Sequence, residues 1–152
     1  ICGLRRASSD VVSTLCDYLA KSGSLSKLTL SDSQLFANQE CVDHLSKYFE
    51  RVSQIDRTSM TEAYLTHIEL SDLNLSGKHL TQIMKALRYC STLQFFSLKG
   101  NPISEESPDF NRYLLKMLSE NNKYLTHLNL SGMKILKFDK ILQTVMKNSQ
   151  SL

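Results

Sequence analysis

The sequence predicts an α/β fold built as a stack of repeating units, a solenoid with a parallel sheet along one side and helices along the other. Two observations carry that prediction. Four segments align without gaps on one spacing of apolar residues, and each is followed by a stretch whose apolar residues recur at helical spacing. Composition permits it: 41% of the 152 residues are hydrophobic and 22% charged, which suits a packed chain rather than a disordered one.

The four segments begin at Leu25, Leu65, Leu93 and Leu125 and read LSKLTLSDSQL, LTHIELSDLNL, LQFFSLKGNPI and LTHLNLSGMKI. In each, an apolar–x–apolar core marks a short strand whose alternate side chains point inward. Strands are expected near 27–31, 67–71, 95–99 and 127–131. At the ninth position, where the chain leaves the strand, Asn101 alone supplies a side-chain amide. Ser33, Leu73 and Met133 stand there in the other segments, so the turns at Leu73 and Met133 are expected to be less regular.

Between strands the period becomes helical. The stripes are Val12, Leu15, Cys16, Leu19; Val42, Leu45, Phe49, Val52; Leu80, Ile83, Met84, Leu87; Phe110, Leu114, Met117, Leu118; and Phe138, Ile141, Leu142, Val145. Ser9-Asp10 is a candidate N-cap for the first. All five stripes are expected to be core. The interval from Leu25 to Leu65 exceeds the others, which places an insertion near 53–64 on the rim, with Arg57-Thr58-Ser59 as a minor candidate for phosphorylation. A second insertion, 102–109, brings Glu105, Glu106 and Asp109 to a helix start, where they complement its dipole.

The pattern LxxLxLxxNxL with helical connections resembles the ribonuclease-inhibitor-like class of leucine-rich-repeat proteins across nearly the whole chain, 1–152. The resemblance implies a horseshoe arc with a concave parallel sheet and convex helices. Cys2-Gly3-Leu4 reads as the end of an earlier repeat and Leu152 as the start of another, giving about five repeats in an uncapped fragment. Within the class, the irregular spacings and LNLSG-type strands resemble repeat proteins of the cytoskeleton, the capping-protein-linker (CARMIL-like) and tropomodulin-like groups, and those of cilia. That resemblance implies a non-catalytic interaction scaffold in the cytoplasm whose partners are cytoskeletal proteins. Two other readings are the sensing repeats of a nucleotide-binding innate-immune receptor and a GTPase activator of the Ran-activating type. Spacings of 40 and 32 between repeats, with Leu73 and Met133 in the turn slot, count against the first.

Strand positions between the inward residues form lateral ladders. Lys27, His67, Phe95, His127 make one; Thr29, Glu69, Ser97, Asn129 a second; Ser31, Ser71, Lys99, Ser131 a third. The candidate partner-binding face is Lys27, Thr29, His67, Glu69, Phe95, Ser97, Lys99, His127 and Asn129, with Phe95 as its anchor because an aromatic on a polar face suits a hot spot. The two histidines lie two strands apart, about 10 Å, too far to share one zinc.

A formal net charge of +3 is too small a bias to point to nucleic acid. It conceals an asymmetry. Residues 1–110 hold 11 basic and 13 acidic groups, whereas residues 111–152 hold 7 basic and 2 acidic. No apolar run approaches the roughly 20 residues of a membrane-spanning helix. The spacing of Cys2, Cys16, Cys41 and Cys90 contains no CxxC pair, so reduced thiols are expected and no metal or cofactor. No GxSxG, P-loop, GxGxxG or HExxH motif occurs, so no enzymatic activity is expected. The sequons at Asn74 and Asn129 fall inside the repeat pattern and are read as coincidental.

Overall fold

A computed structural model describes residues 9–21, 25–31, 38–54, 64–103, 108–121, 124–135 and 138–148. The chain alternates α1 (Ser9–Lys21), β1 (Lys27–Ser31), α2 (Gln39–Ser53), β2 (His67–Ser71), α3 (Gly77–Leu87), β3 (Phe95–Ser97), α4 (Pro108–Lys116), β4 (His127–Asn129) and α5 (Phe138–Asn148). The last turn of α4 widens into a π turn over Met117–Asn121, with Met117 and Leu118 buried.

The strands form one parallel sheet in chain order, β1-β2-β3-β4, so each pairs with the next one along the sequence. The register puts Lys27, His67, Phe95 and His127 side by side, and likewise Thr29, Glu69, Ser97 and Asn129. The last two strands are two residues shorter than expected, yet pairing continues past them: the Leu98 and Gly100 amides donate to Asn129 O and Ser131 O, both at 2.9 Å. Helices follow the same order, α1 against α2, α2 against α3, α3 against α4, and the π turn against α5. This is a repeat-like α/β arrangement.

One continuous core runs from Val12 to Ile141. The inward strand residues Leu28, Leu30, Ile68, Leu70, Phe96 and Leu98 are buried, with Leu65, Leu93 and Leu125 beneath them. Burial weakens at β4, where Leu128 and, just beyond the strand, Leu130 are half-buried. The fifth apolar stripe departs from expectation more sharply. Ile141 is buried, but Phe138 and Leu142 are 50% and 46% exposed, because no described helix lies beyond α5 to cover them.

Local chemistry sets the helix starts. The Asn38 side chain accepts from the Glu40 amide at 3.0 Å, and Ser76 Oγ accepts from the His79 amide at 3.3 Å. α4 begins with Pro108, whose missing N–H is one of the first-turn donors a helix leaves unpaired. Asp109 in that turn pairs with Arg112 at 3.2 Å. Ser9-Asp10 forms the first turn of α1 rather than its cap, since the helix already includes Ser9. Cys2-Gly3-Leu4, Ser33, residues 55–63 with Arg57-Thr58-Ser59, Glu105, Glu106 and Leu152 lie outside the described residues.

Asn101 is fully buried and serves two turns. Its Oδ1 accepts from the amides of Leu73 and Leu75 at 3.2 and 3.1 Å, in the preceding unit. Its Nδ2 donates to Leu70 O at 2.7 Å and to Leu98 O at 2.9 Å. The turn with Leu73 in the amide slot therefore borrows its acceptor from the neighbouring unit. It is irregular in another respect: besides Asp72 at φ 56°, Asn74 adopts a left-handed φ of 53°. The positions matching Asp72 are Gly100 and Gly132, at φ 70° and 78°, so the left-handed step recurs at each of these three described turns.

Candidate functional site: the open face of the sheet

The strand residues that alternate with the core make up the other face of the sheet, where Lys27, Lys99 and His127 are exposed and Thr29, His67, Glu69, Phe95 and Asn129 half-buried. Along the first ladder the Phe95 ring lies between two imidazoles. Its centroid is 4.0 Å from that of His67, with planes 5° apart, and 5.8 Å from that of His127 at 28°. Stacks at these separations contribute beyond simple burial. Phe95 is half-buried, and His127 and Lys27 are exposed.

The two imidazoles differ in their surroundings. His67 Nε2 is buried with no hydrogen-bond partner. Burial, and secondarily the Lys27 charge, hold the His67 ring below the ordinary histidine pKa, against an opposing pull from Glu69. The ring is therefore a neutral stacking surface at pH 7. At His127, Nδ1 lies 2.9 Å from Thr126 Oγ1, whose single proton goes to Gln94 O at 2.9 Å. Donor counting then places a proton on Nδ1 and leaves Nε2 the acceptor of the neutral ring.

The second ladder differs from expectation at one residue. Ser97 is buried, because its short side chain ends below those of its neighbours and is bonded inward. Ser71 Oγ and Ser97 Oγ are 3.1 Å apart, Ser71 Oγ donates to Glu69 Oε1 at 3.3 Å, and the Lys99 amide donates to Ser97 Oγ at 3.4 Å. With one proton per hydroxyl, the chain runs Lys99 N–H to Ser97 to Ser71 to the Glu69 carboxylate. It fixes Glu69 in place and removes Ser97 from the binding face. Asn129 Oδ1 accepts from the Ser131 amide at 3.1 Å, which ties down the last rung. Thr29 is half-buried and Lys99 exposed.

The face thus presents two lysines, one carboxylate and an imidazole–phenyl–imidazole stack. Among the described residues no cluster of three His, Cys, Asp or Glu side chains is placed to hold a metal ion. Cys16, Cys41 and Cys90 are buried and in no disulfide, and burial raises Cys16 to about 11, with Asp17 adding to it. No described helix is long and apolar enough to cross a membrane.

Two polar features of the helix layer lie outside the repeat pattern. Asp43 Oδ1 accepts from Gln39 Nε2 and from Gln82 Nε2, both at 2.8 Å, bridging α2 to α3 and lowering the Asp43 pKa. Tyr48 is buried in α2 with its hydroxyl unpartnered, and burial pushes the phenol up to about 12, with Cys16 and Cys90 adding to the effect. Only a helical-wheel reading of Gln39, Asp43 and Gln82 together would have suggested the first. Compared with family models and with curated proteins, the chain matches none.

Proposed function

We propose that the chain is a segment of a leucine-rich-repeat solenoid that acts as a non-catalytic protein-interaction scaffold, in the cytoplasm and associated with the cytoskeleton or a cilium. The observation that carries this reading is the in-register ladder Lys27, His67, Phe95, His127, with Phe95 held between two rings on that sheet face. A flat, stationary set of side chains costs little ordering entropy when a partner docks. The hydrogen bonds that immobilise Glu69 and Asn129 extend the same preorganisation to their rungs. Mixed charge on this face favours a partner read by shape and polarity over one read by a single sign of charge.

The test is affinity capture from a cytosolic extract with the wild-type chain and with Phe95→Ala, quantified by mass spectrometry. The proposal predicts cytoskeletal or ciliary proteins enriched by the wild type and reduced with the variant. Enrichment of no such protein, or equal recovery by both chains, would remove it.

A further inference from the structure

The open face of the sheet carries its charges in an order. Lys27 is the first residue of β1, Glu69 the third of β2, and Lys99 stands two residues past the end of β3. Pairing continues that far. The Asp72 amide donates to Lys99 O at 2.8 Å and the Gly100 amide to Ser131 O at 2.9 Å, so Lys99 keeps the row of Ser71 and Ser131. Leu98 is buried inward, and Lys99 is exposed on the other side. Because Lys27 pairs with His67 and Glu69 with Ser97, each step of the diagonal Lys27, Glu69, Lys99 moves one strand across and two residues along. With strands about 4.8 Å apart and about 3.3 Å of rise per residue, that step is roughly 8 Å. The face therefore presents cation, anion, cation along one line at even spacing.

Relief accentuates the line. Glu69 is half-buried and held at Oε1 by Ser71 Oγ, whereas both lysines are exposed. The serines flanking it, Ser71 and Ser97, are sunk to 4% and 1% exposure. A recessed carboxylate suits a long basic side chain, and two lysines on flexible stems suit short acidic ones. Among the described residues none of the three charges forms an ion pair.

We infer that this face takes an extended segment of a partner protein whose alternate residues run acid, base, acid. The inference rests on the open face being the binding surface proposed above. An extended chain sets every second side chain on one side at about 6.6 Å, and the lysine stems absorb the remaining difference of about 1.5 Å per step. The evenly spaced residues i, i+4 and i+8 of an α-helix turn by about 80° around its axis, so a helix cannot hold all three against a flat line. Exposed ion pairs add little affinity each, but a partner of the wrong order sets like charges together at three points. The order therefore governs which partner binds more than how tightly.

Selection from a displayed library of random peptides tests it. The wild-type chain should enrich acid-x-base-x-acid sequences at least about tenfold over base-x-acid-x-base ones, and lose that preference at high salt. Two variants, each checked for the wild-type circular dichroism spectrum, complete the experiment. Glu69→Gln keeps an acceptor for Ser71 and should abolish selection of the central base while retaining the outer acids. K27E/E69K/K99E should select the reversed order. No enriched order with the wild type, or the same central base selected by the wild type and by Glu69→Gln, would overturn the inference. Capture of an extract partner that is lost with Phe95→Ala, together with no charge order in the selected peptides, would overturn this inference alone and leave the proposed function standing.

Discussion

Replacing Asn101 with Leu isolates what one buried amide does for two turns. Leu73 already occupies the corresponding slot of the preceding unit, fully buried, so a leucine fits such a position without a large void. What is lost is hydrogen bonding. The Leu73 and Leu75 amides, which donate to Asn101 Oδ1, lose that acceptor inside the core, and Leu70 O and Leu98 O lose the Nδ2 donor. A buried backbone donor left unpaired costs about 1–3 kcal/mol, so the two amides alone set an expected loss of about 2–6 kcal/mol. Against the roughly 5–15 kcal/mol total of an ordinary domain, this is severe. Urea unfolding followed by circular dichroism should show the midpoint falling steeply with an unchanged m-value. A loss under about 1 kcal/mol would refute the claim that Asn101 serves both turns, because even one orphaned amide exceeds it.

Other substitutions and a pH series address separate parts of the structure. Gly100→Ala should cost more than Gly132→Ala: both sit at left-handed φ, but a Cβ at 100 collides with the Asp72 carboxylate, whereas at 132 it meets only ordinary contacts, so Asp72→Ala should restore part of the loss in thermal melts. Tyr48→Phe removes a buried hydroxyl that has no partner and should raise stability by about 1 kcal/mol; a comparable loss would mean the hydroxyl is bonded. Folding depresses the pKa of His67 and of His79, in both through burial first, so the unfolded chain binds more protons. Stability should therefore be full above the ordinary histidine value of 6.5 and decline as pH falls below it, and His67→Gln with His79→Gln should flatten urea midpoints measured across that range. Asp43 is also depressed, but its contribution is lost only as pH falls below the ordinary value of 3.8, so the two effects occupy different windows.

Much of the sheet was legible because it depends on local spacing. Aligning Leu25, Leu65, Leu93 and Leu125 yields the pairing of Lys27, His67, Phe95 and His127 directly, since a one-residue slip would turn the buried face outward. Whether a residue on a given face meets solvent is another matter. Ser97 is on the open face by period but buried by the shortness of its side chain and its bond to Ser71. Phe138 and Leu142 are on the inward stripe by period but exposed, because a helical pattern says which side is apolar and not whether anything lies against it. The reach of Asn101 into the preceding turn is a contact across 26–28 residues that no short window contains. The empty amide slot at Leu73 was the visible half of it.

The face that carries the proposed function can be tested at its central ring. With a captured partner in hand, its dissociation constant is measured by calorimetry for the wild type and for Phe95→Ala, whose fold is verified by an unfolding midpoint within about 1.5 kcal/mol of wild type, the scale of the stacking it loses. If Phe95 between its two imidazoles anchors the interface, affinity falls at least about tenfold, the scale of a hot-spot residue. Unchanged affinity in a folded Phe95→Ala chain would mean that partners are held elsewhere and that the stack serves the sheet alone.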